Sequence, residues 1–436
     1  MAILKAISEK WSFIMKSFKL KPLLIATLAA SLGFVLSTSY ADNSSFSAYK
    51  KAYKAKIFKQ HLPARQVAVI DFNYMSLAEA ANKIKPGVML IIVKGGANLA
   101  TDTSVIPWKL ASNQKIILKN VYLNTTQKAD NLVRLFGTSK IGSLVLENVQ
   151  AKPGLKFDGF KATANKVRLT NTGFTKAQSG DLLTNLLARA GSIDFNTNNT
   201  PSVLNAITTA FKVNTGLKTV GATIENLTPQ NVVAVKNVLK GLAKSKVSSV
   251  KVKVAPRAAR ILNRSPLLNK ALVGALAGKD VNNLSIYYMG SVNKSLLASI
   301  AGHPYQKLAL KTTSNIPLPV VKEAVKKSRY VFLGQDAPFN QAAIDAASQG
   351  AMQSKAKSKR VAFERIDKNV SLASFNNLMN SGVLQRVAVV YCGACDLAIN
   401  KATKTNAMSS VRFNKGRGVL YGPSASIDKI KSMKNR

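Results

Sequence analysis

Histidine and cysteine are almost missing from this chain, with two of each in 436 residues. His61 and His303 do not stand at metal-ligand spacing with each other or with Cys392 and Cys395, so no metal site is expected. Acids are scarce as well, 19 Asp and Glu against 63 Lys and Arg, for a formal net charge of +44. The carboxylates stand singly, which leaves no acid–base pair at useful spacing. His303 falls in Gly302-His-Pro304, a turn between helix and strand, so no Ser-His-Asp set emerges either. These absences argue against catalysis and against a cofactor. Long apolar runs are missing too, apart from Pro22 to Leu36, which is shorter than a comfortable membrane span. What the chain does have is 47% hydrophobic residues, ample material for a core and too much for a disordered tail.

The first apolar run has the layout of an export signal. Lys16, Lys19 and Lys21 precede it, and Ser39-Tyr40-Ala41 supplies small residues at the −3 and −1 positions of a cleavage site. The mature chain would begin at Asp42, exported to a periplasmic or extracellular space, with no transmembrane span left after cleavage. Translation could start at Met1 or at Met15. Residues 42–65 read as a polar linker followed by a basic, solvated helical face.

Downstream, one unit recurs. Thr228-Pro229 opens it, with Thr228 placed to cap and Pro229 suited to the first helical position. Val232, Val233, Val235, Val238, Leu239 and Leu242 form a helical apolar stripe, and Val250 to Val254 alternate with Lys251 and Lys253 as in a strand. Thr200-Pro201 and Ser265-Pro266 repeat the capping pair. Apolar residues two apart mark the other strands: Leu90/Ile92, Ile116/Leu118, Leu144/Leu146, Val167/Leu169, Ile193/Phe195, Val220/Ala222 and Val250/Val252. The series continues with Leu284/Ile286, Leu308/Leu310, Val331/Leu333, Val361/Phe363, Val387/Val389 and Val411/Phe413. The twelve steps from Leu90 to Val411 average about 27 residues, within the range of repeat arrays, and a unit this short cannot enclose a core unless neighbours stack on it.

These residues give the chain a resemblance to the leucine-rich-repeat family, whose pattern is L-x-x-L-x-L-x-x-N/C-x-L. Val167-Arg-Leu169, Ile193-Asp-Phe195 with Asn198, and Val387-Ala-Val389 with Cys392 match its central positions, over roughly Gly142 to Phe413. Ala255, Met289 and Ile366 depart from the asparagine position, so a looser strand–helix solenoid with parallel strands is implied. The fold class expected is α/β. Residues 66–175 read as a β-rich N-terminal part, a cap or a short β-helix, with a short helix at Ser76 to Ile84 and little helical pattern beyond it. Residues 176–413 carry the strand–helix repeats, and 414–436 form a loose basic tail. Ser354 to Arg360, rich in lysine, reads as a long solvated loop. Tyr391-Cys-Gly-Ala-Cys395 is similar to the redox motif of thioredoxin-like proteins. Too little chain follows for that fold, however, so Cys392 and Cys395 are read as a local disulfide or as two buried thiols.

Charge is the strongest functional hint. Removing residues 1–41 takes away five Lys and one Glu, which leaves +40. Such a field attracts polyanions: acidic polysaccharide, lipopolysaccharide, an acidic protein surface, nucleic acid or an anionic membrane. Residues flanking the inward pairs would line the concave strand face. The expected ligand-binding residues there are Lys166, Arg168, Lys251, Lys253, Tyr287, Lys307, Lys311, Tyr330, Phe332, Arg360, Arg386 and Arg412, with Lys115 and Lys119 beside them. Aromatic residues among cations suit an anionic, ring-bearing ligand. The expectation is therefore an exported, non-catalytic binding protein for a polyanion or a protein partner. The alternative is a carbohydrate-active enzyme resembling β-helix polysaccharide lyases, which would gather Asp71, Asp102 and Asp158.

Overall fold

A computed structural model of the chain describes residues 66–84, 87–100, 107–356 and 359–367, short pieces from 369 to 391, and 408–413 and 418–423. All belong to one unit, Ser44–Arg436. The segment read as an export signal with its cleavage site, residues 42–65, Asp102, Cys392 and Cys395 lie outside the described residues.

Strand follows strand across one long sheet, in sequence order. The first seven are β1 (Val67–Asp71), β2 (Leu90–Lys94), β3 (Lys115–Lys119), β5 (Lys140–Glu147), β7 (Thr163–Thr170), β8 (Ser192–Asn196) and β9 (Thr219–Ile224). Then come β10 (Ser249–Val254), β11 (Asn283–Tyr288), β12 (Lys307–Thr312), β13 (Tyr330–Gly334), β14 (Lys359–Arg365) and β15 (Leu384–Tyr391). Each pairs in parallel with the next. Two short strands, β4 (Tyr122–Leu123) and β6 (Gln150–Ala151), form a ladder of their own. At the far end β17 (Gly418–Pro423) runs antiparallel to β15, and β16 (Met408–Phe413) runs antiparallel to β17. With β1 and β16 at opposite edges the sheet is open, not a barrel.

Helices occupy most of the crossovers: α1 (Leu77–Lys83), α2 (Thr126–Phe136), α3 (Lys176–Ala188), α4 (Pro201–Val213) and α5 (Val232–Lys244). They continue as α6 (Pro256–Arg264), α7 (Pro266–Leu276), α8 (Lys294–Ala301), α9 (Leu318–Lys327) and α10 (Gln341–Met352). From α3 onward each packs on the next, except that α5 meets α7 directly and α6 stands outside that row. Local chemistry sets their starts. Ser76 with Glu79, and Thr175 with Gln178, close capping boxes at α1 and α3. Pro201 and Pro266 stand at first helical positions, as the sequence implied.

The inward pairs form two continuous apolar rows. From Ile116/Leu118 to Val387/Val389 every pair expected from the sequence lies in register with its neighbours. These rows pack against the helices: Val220, Val250, Leu310, Leu333 and Val361 are fully or almost fully buried. Under the first strands an aromatic chain fills the core, Phe72 stacked on Trp108 with centroids 6.4 Å apart, then Phe136 and Phe160 at successive 6.0 Å steps.

Several expectations are corrected. In β2 the inward residues are Ile91 and Val93; Leu90 and Ile92 take the other face. A continuous apolar strand carries no alternation from which to read its face. Val411/Phe413 belongs to β16, which is antiparallel, so it does not extend the rows. Residues 414–436 are not wholly a loose tail, since β17 pairs there. The region 66–175 holds α2 as well as α1, the latter at the short helix expected over Ser76 to Ile84, and its strands belong to the same sheet as the rest. The helix after Thr228-Pro229 begins only at Val232, Asn231 receives the Thr228 N–H at 2.8 Å, and Val233, expected on the apolar stripe, stands in solvent at 64% exposure. The lysine-rich run is not all solvated: Lys359 is buried, 1% exposed, at the start of β14.

Candidate functional site

The face of the sheet turned away from the helices carries the candidate residues. Because the register does not slip along the middle strands, side chains at equivalent positions fall into rows. One row runs Lys115, Ser143, Lys166, Ser192, Thr219, Ser249, Asn283, Lys307, Tyr330 and Arg360, and Arg386 occupies the next register position. A second holds Arg168, Asp194, Gly221, Lys251, Ser285, Ala309 and Phe332. A third holds Lys94, Lys119 and Glu147 on the early strands, and Lys253, Tyr287, Lys311 and Gly334 on the later ones. Sequence reasoning therefore placed Lys166, Arg168, Lys251, Lys253, Tyr287, Lys307, Lys311, Tyr330, Phe332 and Arg360 on one face. Arg412 is different: it lies on β16, outside the parallel ladder.

Three acids of this face, Glu147, Asp194 and Glu364, are each tied to a cation, while Asp71, in register with Lys94, accepts from Asn73 N–H at 3.1 Å. Lys119 meets Glu147 at 2.8 Å, Arg168 meets Asp194 at 3.3 Å, and Lys311 meets Glu364 at 2.6 Å. The last pair reaches over β13, where Gly334 leaves the room. A Cβ at Gly334 would sit 2.6 Å from Glu364 Oε2, and one at Gly221 only 2.0 Å from Asp194 Oδ1. Aromatic rings lie among the cations. Lys311 Nζ is 5.2 Å from the Tyr287 ring, while Arg329 and Arg360 approach Tyr330 at 5.3 and 5.1 Å. Like charges crowd further along: burial, then the charges of Arg168 and Lys166, push the Lys115 ammonium below its ordinary value.

Two features went unread in the sequence. The first is an asparagine ladder. It does not use Asn198, which donates to Glu225 at 2.6 Å. It runs through Asn120, Asn148, Asn171 and Asn196, each amide bonded to the one before at 2.9 Å. The first three adopt left-handed backbone, which asparagine tolerates better than most residues. Their separations of 28, 23 and 25 residues match the strand spacing, and that was the signal available. Asn199 and Asn231, both buried, bridge successive loops through backbone groups. The second is Lys359, whose ammonium donates to Val325 O, to Lys326 O at 3.0 Å and to Ser328 O at 2.5 Å. It closes the C-terminal end of α9, where free carbonyls and the helix dipole favour a cation. Burial pushes its pKa down to about 8.

Among the described residues no three His, Cys, Asp or Glu side chains come together to hold a metal ion, and no helix is long and apolar enough to cross a membrane. His303 is structural in its setting, with Nε2 3.3 Å from Val281 O and its ring 4.5 Å from that of Tyr305. No protein-family model matches the chain, and no curated protein matches it.

Proposed function

We propose that this chain is an exported, non-catalytic binding protein, a strand–helix solenoid of leucine-rich-repeat type, whose open sheet face holds a polyanion. The observation that carries the reading is the alignment of cations from many strands on one face. Lys94, Lys115, Lys119, Lys166, Arg168, Lys251, Lys253, Lys307, Lys311 and Arg360 share it, and Glu147, Asp194 and Glu364 are each already tied to one of them. A polyanion laid across the strands relieves the like-charge crowding felt by Lys115 and releases its own counterions. Tyr287, Tyr330 and Phe332 give such a ligand ring faces to stack on.

The test is a salt titration against heparin, lipopolysaccharide and single-stranded nucleic acid. Replacing Lys166, Lys251, Lys253 and Lys307 by Gln should weaken binding and flatten the log–log salt slope by about three to four. Replacing Lys212, Lys240, Lys244 and Lys294, all exposed on the helices, should do much less. Equal loss from the two sets would mean that only net charge matters and would remove the sheet face as a site.

A further inference from the structure

Among the helices described, the crossover from β10 to β11 holds two, α6 and α7, where its neighbours hold one. The returning helix, α7, packs on α5. The extra helix, α6, is seated at the carboxyl end of β10 by Ala258, Ala259 and Leu262, all buried. Polar contacts fix it there: Tyr288 Oη donates to Asn263 Oδ1 at 3.0 Å, and Asn263 Nδ2 donates to Ser291 O at 2.7 Å. Its other side is exposed and bears Arg257, Arg260 and Arg264, with Lys270 following on α7. Basic residues in this chain are mostly lysine, yet three of its fourteen arginines fall in these nine residues. Among the described residues none of the three side chains makes an ion pair or hydrogen bond. Neither α6 nor α7 contains an acid, and Glu225, on the loop after β9, is turned to Asn196 and Asn198. Two large apolar side chains stand among these cations in solvent, Ile261 at 37% and Leu267 at 65% exposure.

We propose that α6 and the start of α7 form a docking patch for an anionic lipid bilayer, separate from the open sheet face. Arginine forks match phosphate oxygens two at a time, which fits lipid headgroups. Ile261 and Leu267 gain from reaching the acyl boundary, a gain that no soluble polyanion offers. The rigid seat of α6 means that little ordering entropy is lost on contact.

The test is co-sedimentation of the full chain with vesicles of phosphatidylglycerol in phosphatidylcholine, and with phosphatidylcholine alone. Neutral vesicles measure what the apolar run Pro22 to Leu36 contributes, so the charge-dependent increment is the readout. The variants are Arg257→Gln/Arg260→Gln/Arg264→Gln, Ile261→Ser/Leu267→Ser, and, as a charge-matched control on other helices, Lys212→Gln/Lys240→Gln/Lys244→Gln. Thermal melts verify that each is folded. The arginine variant should lose roughly a hundredfold in the increment. The apolar variant should lose about tenfold, and the control little. An arginine variant no weaker than the control overturns the patch. An apolar variant that binds vesicles as wild type does, with the arginine variant losing heparin equally, assigns α6 to soluble polyanions and overturns the lipid reading.

Discussion

Lys359 shows how one side chain can take a role that composition hides. Its ammonium lies where α9 exposes its last carbonyls, and burial pushes its pKa to about 8 from an ordinary 10.5. Between those values the unfolded chain holds the proton more firmly than the folded one. Its contribution to stability therefore rises with pH through that window and is lost as pH falls through 8. Lys359→Met should cost about 1–3 kcal/mol at neutral pH, because the carbonyls lose their donor. Denaturant titrations from pH 8 to 10.5 should show wild type gaining on that variant; parallel curves would refute the assignment. Gly334 is a second such residue. Gly334→Ala forces Glu364 off Lys311 and should destabilise by about 1–3 kcal/mol, whereas an unchanged midpoint would mean the pair is of no consequence.

Elements lock together through the two inward rows. Leu308 on β12 is 1% exposed between β11 and β13, while Lys307 beside it is exposed on the other face. Leu308→Ala should cost about 2–5 kcal/mol by leaving a cavity. Lys307→Ala should stay within about 0.5 kcal/mol, and equal effects in chemical denaturation would sink the register. Helices α9 and α10 approach closely at Gly350, where a Cβ would lie 2.3 Å from Lys322 O. Backbone cannot step aside as a side chain can, so Gly350→Ala should cost about 1–3 kcal/mol by the same measurement. An unaltered melt there would show that α10 shifts freely over α9.

At the scale of the whole molecule the decisive quantity is where +44 charges are placed. The open sheet face and the α6–α7 surface present cations differently. On the sheet, lysines dominate and Glu147, Asp194 and Glu364 are each paired with a cation; on α6, arginines stand with apolar neighbours and no acid. The salt titration and the vesicle assay separate the two surfaces. Export belongs to this scale too. Under the proposal of export, N-terminal sequencing should find a mature chain beginning at Asp42, and an exported chain that retains Met1 or Met15 would mean that Pro22 to Leu36 is an anchor.

The sequence by itself determined the strands and most of the open face. Period-two patterns such as Val250, Val252 and Val254 against Lys251 and Lys253 encode both a strand and its facing, because successive side chains point to opposite sides. It also encoded helix starts at Pro201 and Pro266, where a missing N–H costs nothing. Where a pattern was uniform it was silent: Leu90 to Val93 is apolar throughout, so only pairing with β1 and β3 decided that Ile91 and Val93 point inward. Contacts between residues far apart in sequence were likewise decided by tertiary structure. Asn120 finds Asn148, Lys359 finds the end of α9, and Glu364 reaches Lys311 across Gly334, each because parallel stacking at one register brings it within bonding distance. No local pattern records such a partner, since the partner's distance along the chain is set by the length of the intervening crossover.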